Sequence, residues 1–134
     1  MRVPSLLGQV TLPGKATSAS RARHYVRDLL AVTGHTWADD ALLLVSELVT
    51  NSVRHSRSNR PGGQVTVSVA VREGTLHVDV ADAGSADRGP RLRPEMSADS
   101  VGGRGLWLVQ RLASAWGWRE VPAGRVVWFR LAKG

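Results

Sequence analysis

A chain of 134 residues with 43% hydrophobic content fits one domain, long enough to bury a core without staples. The absence of cysteine excludes a disulfide framework and a thiolate metal site, and suits a reducing compartment. The formal net charge of +7 admits nucleic acid, a nucleoside triphosphate or an acidic partner.

That charge comes almost entirely from arginine, since only Lys15 and Lys133 are lysines. The arginines are spread along the chain, in modest groups at Arg21/Arg23/Arg27, Arg54/Arg57/Arg60 and Arg88/Arg91/Arg93. No nucleic-acid-reading motif accompanies them, so direct nucleic-acid binding is not expected. The opening residues are too few and too broken by Pro4 and Gly8 for a signal segment. The apolar run Ala41 to Val45 is far below membrane-spanning length. A cytoplasmic protein with no membrane contact is the expectation.

In chain order, residues 1–8 read as a flexible N-terminus, and a short strand follows at Gln9–Leu12, ended by Pro13-Gly14. Ala16 to Ala31 reads as a helix, capped by Thr17 or Ser18 and stopped at Gly34. The second helix is capped by Thr36, carries Asp39 and Asp40 in its first turn, and runs to about Ser56. Trp37, Ala41, Leu44, Val45, Leu48 and Val49 form its apolar stripe, with Asp40, Glu47 and Asn51 along one edge. That edge is where a pocket can open.

After Asn59 to Gly63 the period changes from helical to alternating. Val65, Val67, Val69 and Val71 mark one strand, Glu73-Gly74 a tight turn, and Leu76, Val78 and Val80 the returning strand. Asp82 continues that buried phase, which makes it either a costly burial or a specific ligand. Ala83 to Ser100 is a long loop rich in Gly, Pro, Arg and Ser. Gly102 to Gly105 leads into a third helix ending near Ala115, and a hairpin of Trp116–Val121 and Arg125–Leu131 closes the chain. The expected fold is therefore α+β, a single-domain two-layer sandwich over 1–134. Its mixed, mainly antiparallel sheet carries three helices on one face.

Three separated pieces can meet in such a fold. Glu47 and Asn51 place an acid and an amide at i and i+4 on one helix. Asp82-Ala83-Gly84 ends a strand, and Gly102-Gly103-Arg104-Gly105 precedes a helix whose N–H groups suit phosphate. The run Val45 to His55 resembles the N box of the GHKL superfamily, to which gyrase, histidine kinases and mismatch-repair ATPases belong. Asp82-Ala83-Gly84 resembles its first glycine box, and Gly103-Arg104-Gly105-Leu106 its second. Length, box order and the Val127-Trp128-Phe129 strand look most like the single-domain anti-sigma factor serine/threonine kinases, actinobacterial regulators included.

The resemblance implies the histidine kinase-like ATPase fold, with ATP and Mg²⁺ as ligands and 83–102 as the ATP lid. It implies that Asn51 coordinates Mg²⁺, that Glu47 acts on the attacking hydroxyl as a general base, and that Asp82 accepts the adenine amine. It further implies that Gly84 lets the backbone approach the base, while Gly103, Arg104, Gly105 and Leu106 meet the phosphates. His55 lies near the same helix face as a further binding candidate. The implied partners are an anti-anti-sigma protein of the STAS type and a sigma factor, with a homodimer possible. Three positions depart from the family pattern: Ala86 where a second glycine is usual, Val101 where some relatives carry a basic residue, and Val126 read as replacing a threonine near the adenine. They motivate an alternative, a regulator whose nucleotide shapes a protein-binding surface without phosphate transfer.

Overall fold

The computed structural model describes residues 5–31, 38–84, 109 and 111–132. The elements are β1 (Ser5–Pro13), α1 (Ser18–Ala31), α2 (Ala38–His55), a 3-10 turn (Arg57–Asn59), β2 (Gln64–Arg72), β3 (Thr75–Asp82), β4 (Ala115–Val121) and β5 (Gly124–Leu131). The strands form one sheet in the order β1-β2-β3-β5-β4. Every neighbouring pair is antiparallel, so the sheet is not mixed. α1 and α2 pack on each other and on the sheet.

Alternation builds the core. Val65, Val67 and Val69 of β2 and Leu76, Val78 and Val80 of β3 are all 0% exposed, while the intervening residues are only half-buried. On α2, Ala41, Leu44, Val45, Leu48 and Val49 are buried as their helical spacing predicts. Val26 and Leu30 of α1 and Phe129 of β5 complete the packing. Phe129 is among the largest fully buried side chains. Phe129→Ala should therefore cost about 3–5 kcal/mol of stability, read as a fall in the urea midpoint; an unchanged midpoint would refute this account of the core.

Several element limits differ from the sequence reading. β1 begins at Ser5, so residues 5–8 belong to a paired strand; a register irregularity between Leu6 and Gly8 absorbs the glycine. α1 begins at Ser18, whose buried hydroxyl donates to the Pro13 carbonyl at 2.5 Å and ties the helix start to the end of β1. The β2–β3 turn uses left-handed backbone at Glu73 and Gly74, with φ of 51° and 79°, the requirement of a two-residue turn between twisted strands.

Two α-helices are described in full. Of the third, Val109, Arg111 and Leu112 are helical, with Ala113 N–H donating to the Val109 carbonyl at 2.9 Å and Val109 in the core. The rest of the expected third helix lies outside the described residues, as do Thr36, Trp37 and residues 85–102 of the expected lid. Among the described residues, no helix is long and apolar enough to cross a membrane.

Candidate nucleotide site

The C-terminal half of α2 runs along the sheet beside the end of β3. Asn51 lies on α2 one turn after half-buried Glu47, and is 9% exposed. Its Oδ1 is buried and finds no hydrogen-bond partner among the described residues. Leaving such an oxygen unsatisfied carries a penalty of about 1–3 kcal/mol, which a ligand would relieve. His55 sits one further turn along α2 and is half-buried.

Ser52, the next residue, is 2% exposed and gives a side-chain hydrogen bond to Asp82. The acid is therefore tied to the helix that carries the amide. Asp82 keeps the inward phase of its strand and is 8% exposed. Its Oδ1 also accepts the Gly84 N–H at 2.7 Å. Gly84 has φ of 73°, a left-handed conformation that favours glycine. Burial pushes the Asp82 carboxyl above its ordinary range; the hydrogen bonds from Gly84 and Ser52, and then the Arg125 charge, pull it back.

The 3-10 turn after α2 supplies a second tie. The Ser58 hydroxyl accepts the Ala83 N–H at 2.9 Å, and the Ser58 N–H donates to the Ser56 hydroxyl at 3.0 Å. Ser56 and Ser58 are both buried. Ser58→Ala would strand the Ala83 N–H and should cost about 1–3 kcal/mol. Hydrogen exchange at the Ala83 amide should accelerate, and native protection in the variant would contradict this role.

The register across β3, β5 and β4 sets Asp82 opposite Arg125, and Arg125 opposite Glu120. Arg125 is 3% exposed, and its guanidinium lies over the Trp118 ring at 6.0 Å. Val126 instead pairs with Ala81, on the other face. The residue directly opposite the inward carboxylate is thus Arg125, while Val126, read as replacing a threonine near the adenine, faces the other side.

The chemistry of this corner is that of two oxygen acceptors, the Asn51 amide oxygen and the Asp82 carboxylate, carried on packed elements. A buried amide oxygen suits a hard cation that keeps most of its coordination for phosphates and water, the habit of Mg²⁺. No cluster of three or more His, Asp or Glu able to hold a metal occurs among the described residues. Two recesses lie elsewhere. One of about 360 Å³ opens on the outer sheet face near Asp79 and Trp128, and one of about 580 Å³ near Gly14 and Gly63. Neither contains Asn51 or Asp82, and neither presents a buried oxygen lacking a partner.

The family described as "Histidine kinase-like ATPase domain" matches residues 12–131. The chain belongs to the histidine kinase-like ATPase family. Among its curated relatives, the serine-protein kinase RsbW of Listeria monocytogenes serotype 4a is 30% identical over 112 residues, spanning 75% of this chain and 71% of that protein. The RsbW protein of Listeria innocua matches to the same extent. The anti-sigma F factor of Geobacillus stearothermophilus is 44% identical over a shorter 41 residues, covering 31% of this chain and 28% of that protein.

Of the residues singled out from sequence, Asp82 is tied to α2 through Ser52, the neighbour of Asn51, and to Gly84 through its N–H, while Glu47 and His55 lie on α2 about one turn before and one turn after Asn51. Gly103, Arg104, Gly105 and Leu106 lie outside the described residues, as do Ala86 and Val101. Sequence reasoning missed Ser52, Ser58 and Arg125. Ser52 adjoins Asn51, and Arg125 follows from counting the β4–β5 hairpin back from its turn, so both signals were present. Ser58 had none, because its role depends on a long-range contact.

Proposed function

We propose that this chain is an ATP-binding regulator of the anti-sigma factor type, acting as a protein serine/threonine kinase on an anti-anti-sigma antagonist and holding a sigma factor when that antagonist is absent. The observation that carries the reading is the buried Asn51 Oδ1, which has no hydrogen-bond partner among the described residues and lies one residue from the serine that bonds Asp82. The names of its relatives, serine-protein kinase and anti-sigma F factor, support the same activity.

In this reading Asn51 holds Mg²⁺ through Oδ1, and Asp82 accepts a hydrogen bond from the adenine exocyclic amine. Bound Mg²⁺ supplies charge neutralisation at the phosphates. Gly84 leaves room beside the base, Gly103, Arg104, Gly105 and Leu106 would meet the phosphates, and His55 lies near the same helix end. Glu47, one helical turn before Asn51, takes the proton of the attacking serine or threonine hydroxyl. Most of the rate then comes from positioning and charge stabilisation rather than from covalent chemistry by the protein. A cytoplasmic location and a homodimer belong to the same proposal.

One observation favours a second reading. Buried Arg125 directly opposes Asp82 across β3 and β5, and a nucleotide held beside it can act through its effect on shape alone. Incubation with Mg-ATP and a STAS-type anti-anti-sigma protein separates the two. Phosphoserine or phosphothreonine on that partner is the expected product. Nucleotide-dependent association without phosphate would leave the kinase reading without support and establish the second.

A further inference from the structure

Across the sheet at the base end of the site runs a row of three ionisable side chains on one face: Asp82 of β3, Arg125 of β5 and Glu120 of β4. Asp82 and Arg125 are 8% and 3% exposed, while Glu120 is exposed. Directly opposed residues on neighbouring antiparallel strands have Cβ atoms about 4.5–5.5 Å apart, so the Asp82 and Arg125 side chains leave the sheet from adjacent positions on one face. Trp118, on the same face of β4, has its ring centroid 6.0 Å from the guanidinium carbon, at the edge of cation–π range. Gly124, the residue before it, has φ of 151° and its Cα packs against Gly84. The arginine therefore enters the site from a closely packed turn.

We infer that Arg125 is a second base-reading side chain, and that the nucleotide site accepts 6-oxopurine triphosphates such as GTP and ITP alongside ATP. This inference rests on the proposed nucleotide site and specifies its substrate class. An adenine offers Asp82 its amine but gives a neighbouring donor only ring nitrogens. A 6-oxopurine offers N–H groups to the carboxylate and, next to them, a carbonyl oxygen that accepts from a guanidinium. The donor and acceptor order Arg125–Asp82 matches that edge. Arg is the side chain most often found on the guanine oxygen in nucleic-acid recognition, for the same geometric reason. A buried cation that stays hydrogen-bonded when the base enters avoids the cost of a stranded charge.

The test is calorimetric titration of the native chain with Mg-ATP, Mg-GTP and Mg-ITP, repeated on Arg125→Thr and Arg125→Gln. The inference expects GTP and ITP to bind within about tenfold of ATP, and expects both variants to weaken the 6-oxopurines at least tenfold relative to ATP. ATP binding at micromolar to millimolar Kd with no detectable GTP or ITP binding overturns the inference and leaves the proposed function intact. An unchanged GTP-to-ATP ratio in both variants also overturns it. Failure of all three nucleotides on folded native protein overturns the inference and the nucleotide site together. Because the native comparison needs no substitution, instability of a variant does not remove the test.

Discussion

Asp82→Asn should leave the fold at least as stable as the native chain at neutral pH while weakening Mg-ATP binding about ten- to a hundredfold. The first half follows from burial, which raises the Asp82 carboxyl above its ordinary value of 3.8. Below 3.8 both folded and unfolded chains carry the proton, and the contribution to stability is whole. As pH rises from there through the higher folded value, the unfolded chain ionises first, and that contribution is lost. The native chain should lose stability across that window relative to Asp82→Asn, which has nothing to ionise. Asparagine keeps an oxygen for the Gly84 N–H, so the β3 end should hold its shape. The second half follows from the loss of a charge-assisted hydrogen bond, worth about 1.5–3 kcal/mol, with each 1.4 kcal/mol a factor of about ten. Native affinity for Mg-ATP in Asp82→Asn would show that this acid does not read the base.

Glu47→Gln should bind Mg-ATP as the native chain does and transfer phosphate about 10²–10⁴ times more slowly. The residue is half-buried on α2, one turn from Asn51, where a hydroxyl brought to a bound nucleotide can reach it. Glutamine preserves size and hydrogen bonding but takes no proton, so the loss should fall on kcat and leave KM for ATP nearly unchanged. Single-turnover transfer to the antagonist, followed by phosphopeptide mass spectrometry, measures it. Transfer at the native rate would assign the proton to another group.

Much of this was legible before any coordinates, because it depended on period. The valine alternation of β2 and β3 set their buried faces, and carrying that phase to Asp82 gave its inward direction. Helical spacing likewise put Asn51 at the edge of the α2 stripe. What sequence did not yield depended on contacts between distant segments. Residues 5–8 carry no strand signal strong enough to outweigh Gly8, yet pairing with Ala70 and Val71 of β2 makes them strand. The tie from Ser58 to Ala83 joins residues 25 apart, and nothing in either neighbourhood announces it. Successive strand positions face opposite sides of the sheet, so Val126, read as replacing a threonine near the adenine, lies on the face away from Asp82, and Arg125 is the residue opposite that acid.

The central claim, that the α2–β3 corner binds Mg-nucleotide, is tested most directly by thermal unfolding of the native chain and of Asn51→Ala with and without Mg-ATP. Ligand at about 100 times its Kd adds about 2.7 kcal/mol of stability. The account predicts a Tm rise of several degrees for the native chain and little or none for Asn51→Ala, whose own fold should persist because it gives up only a side chain at the core's edge. An equal rise in both proteins, or none in the native chain at millimolar Mg-ATP, would contradict it.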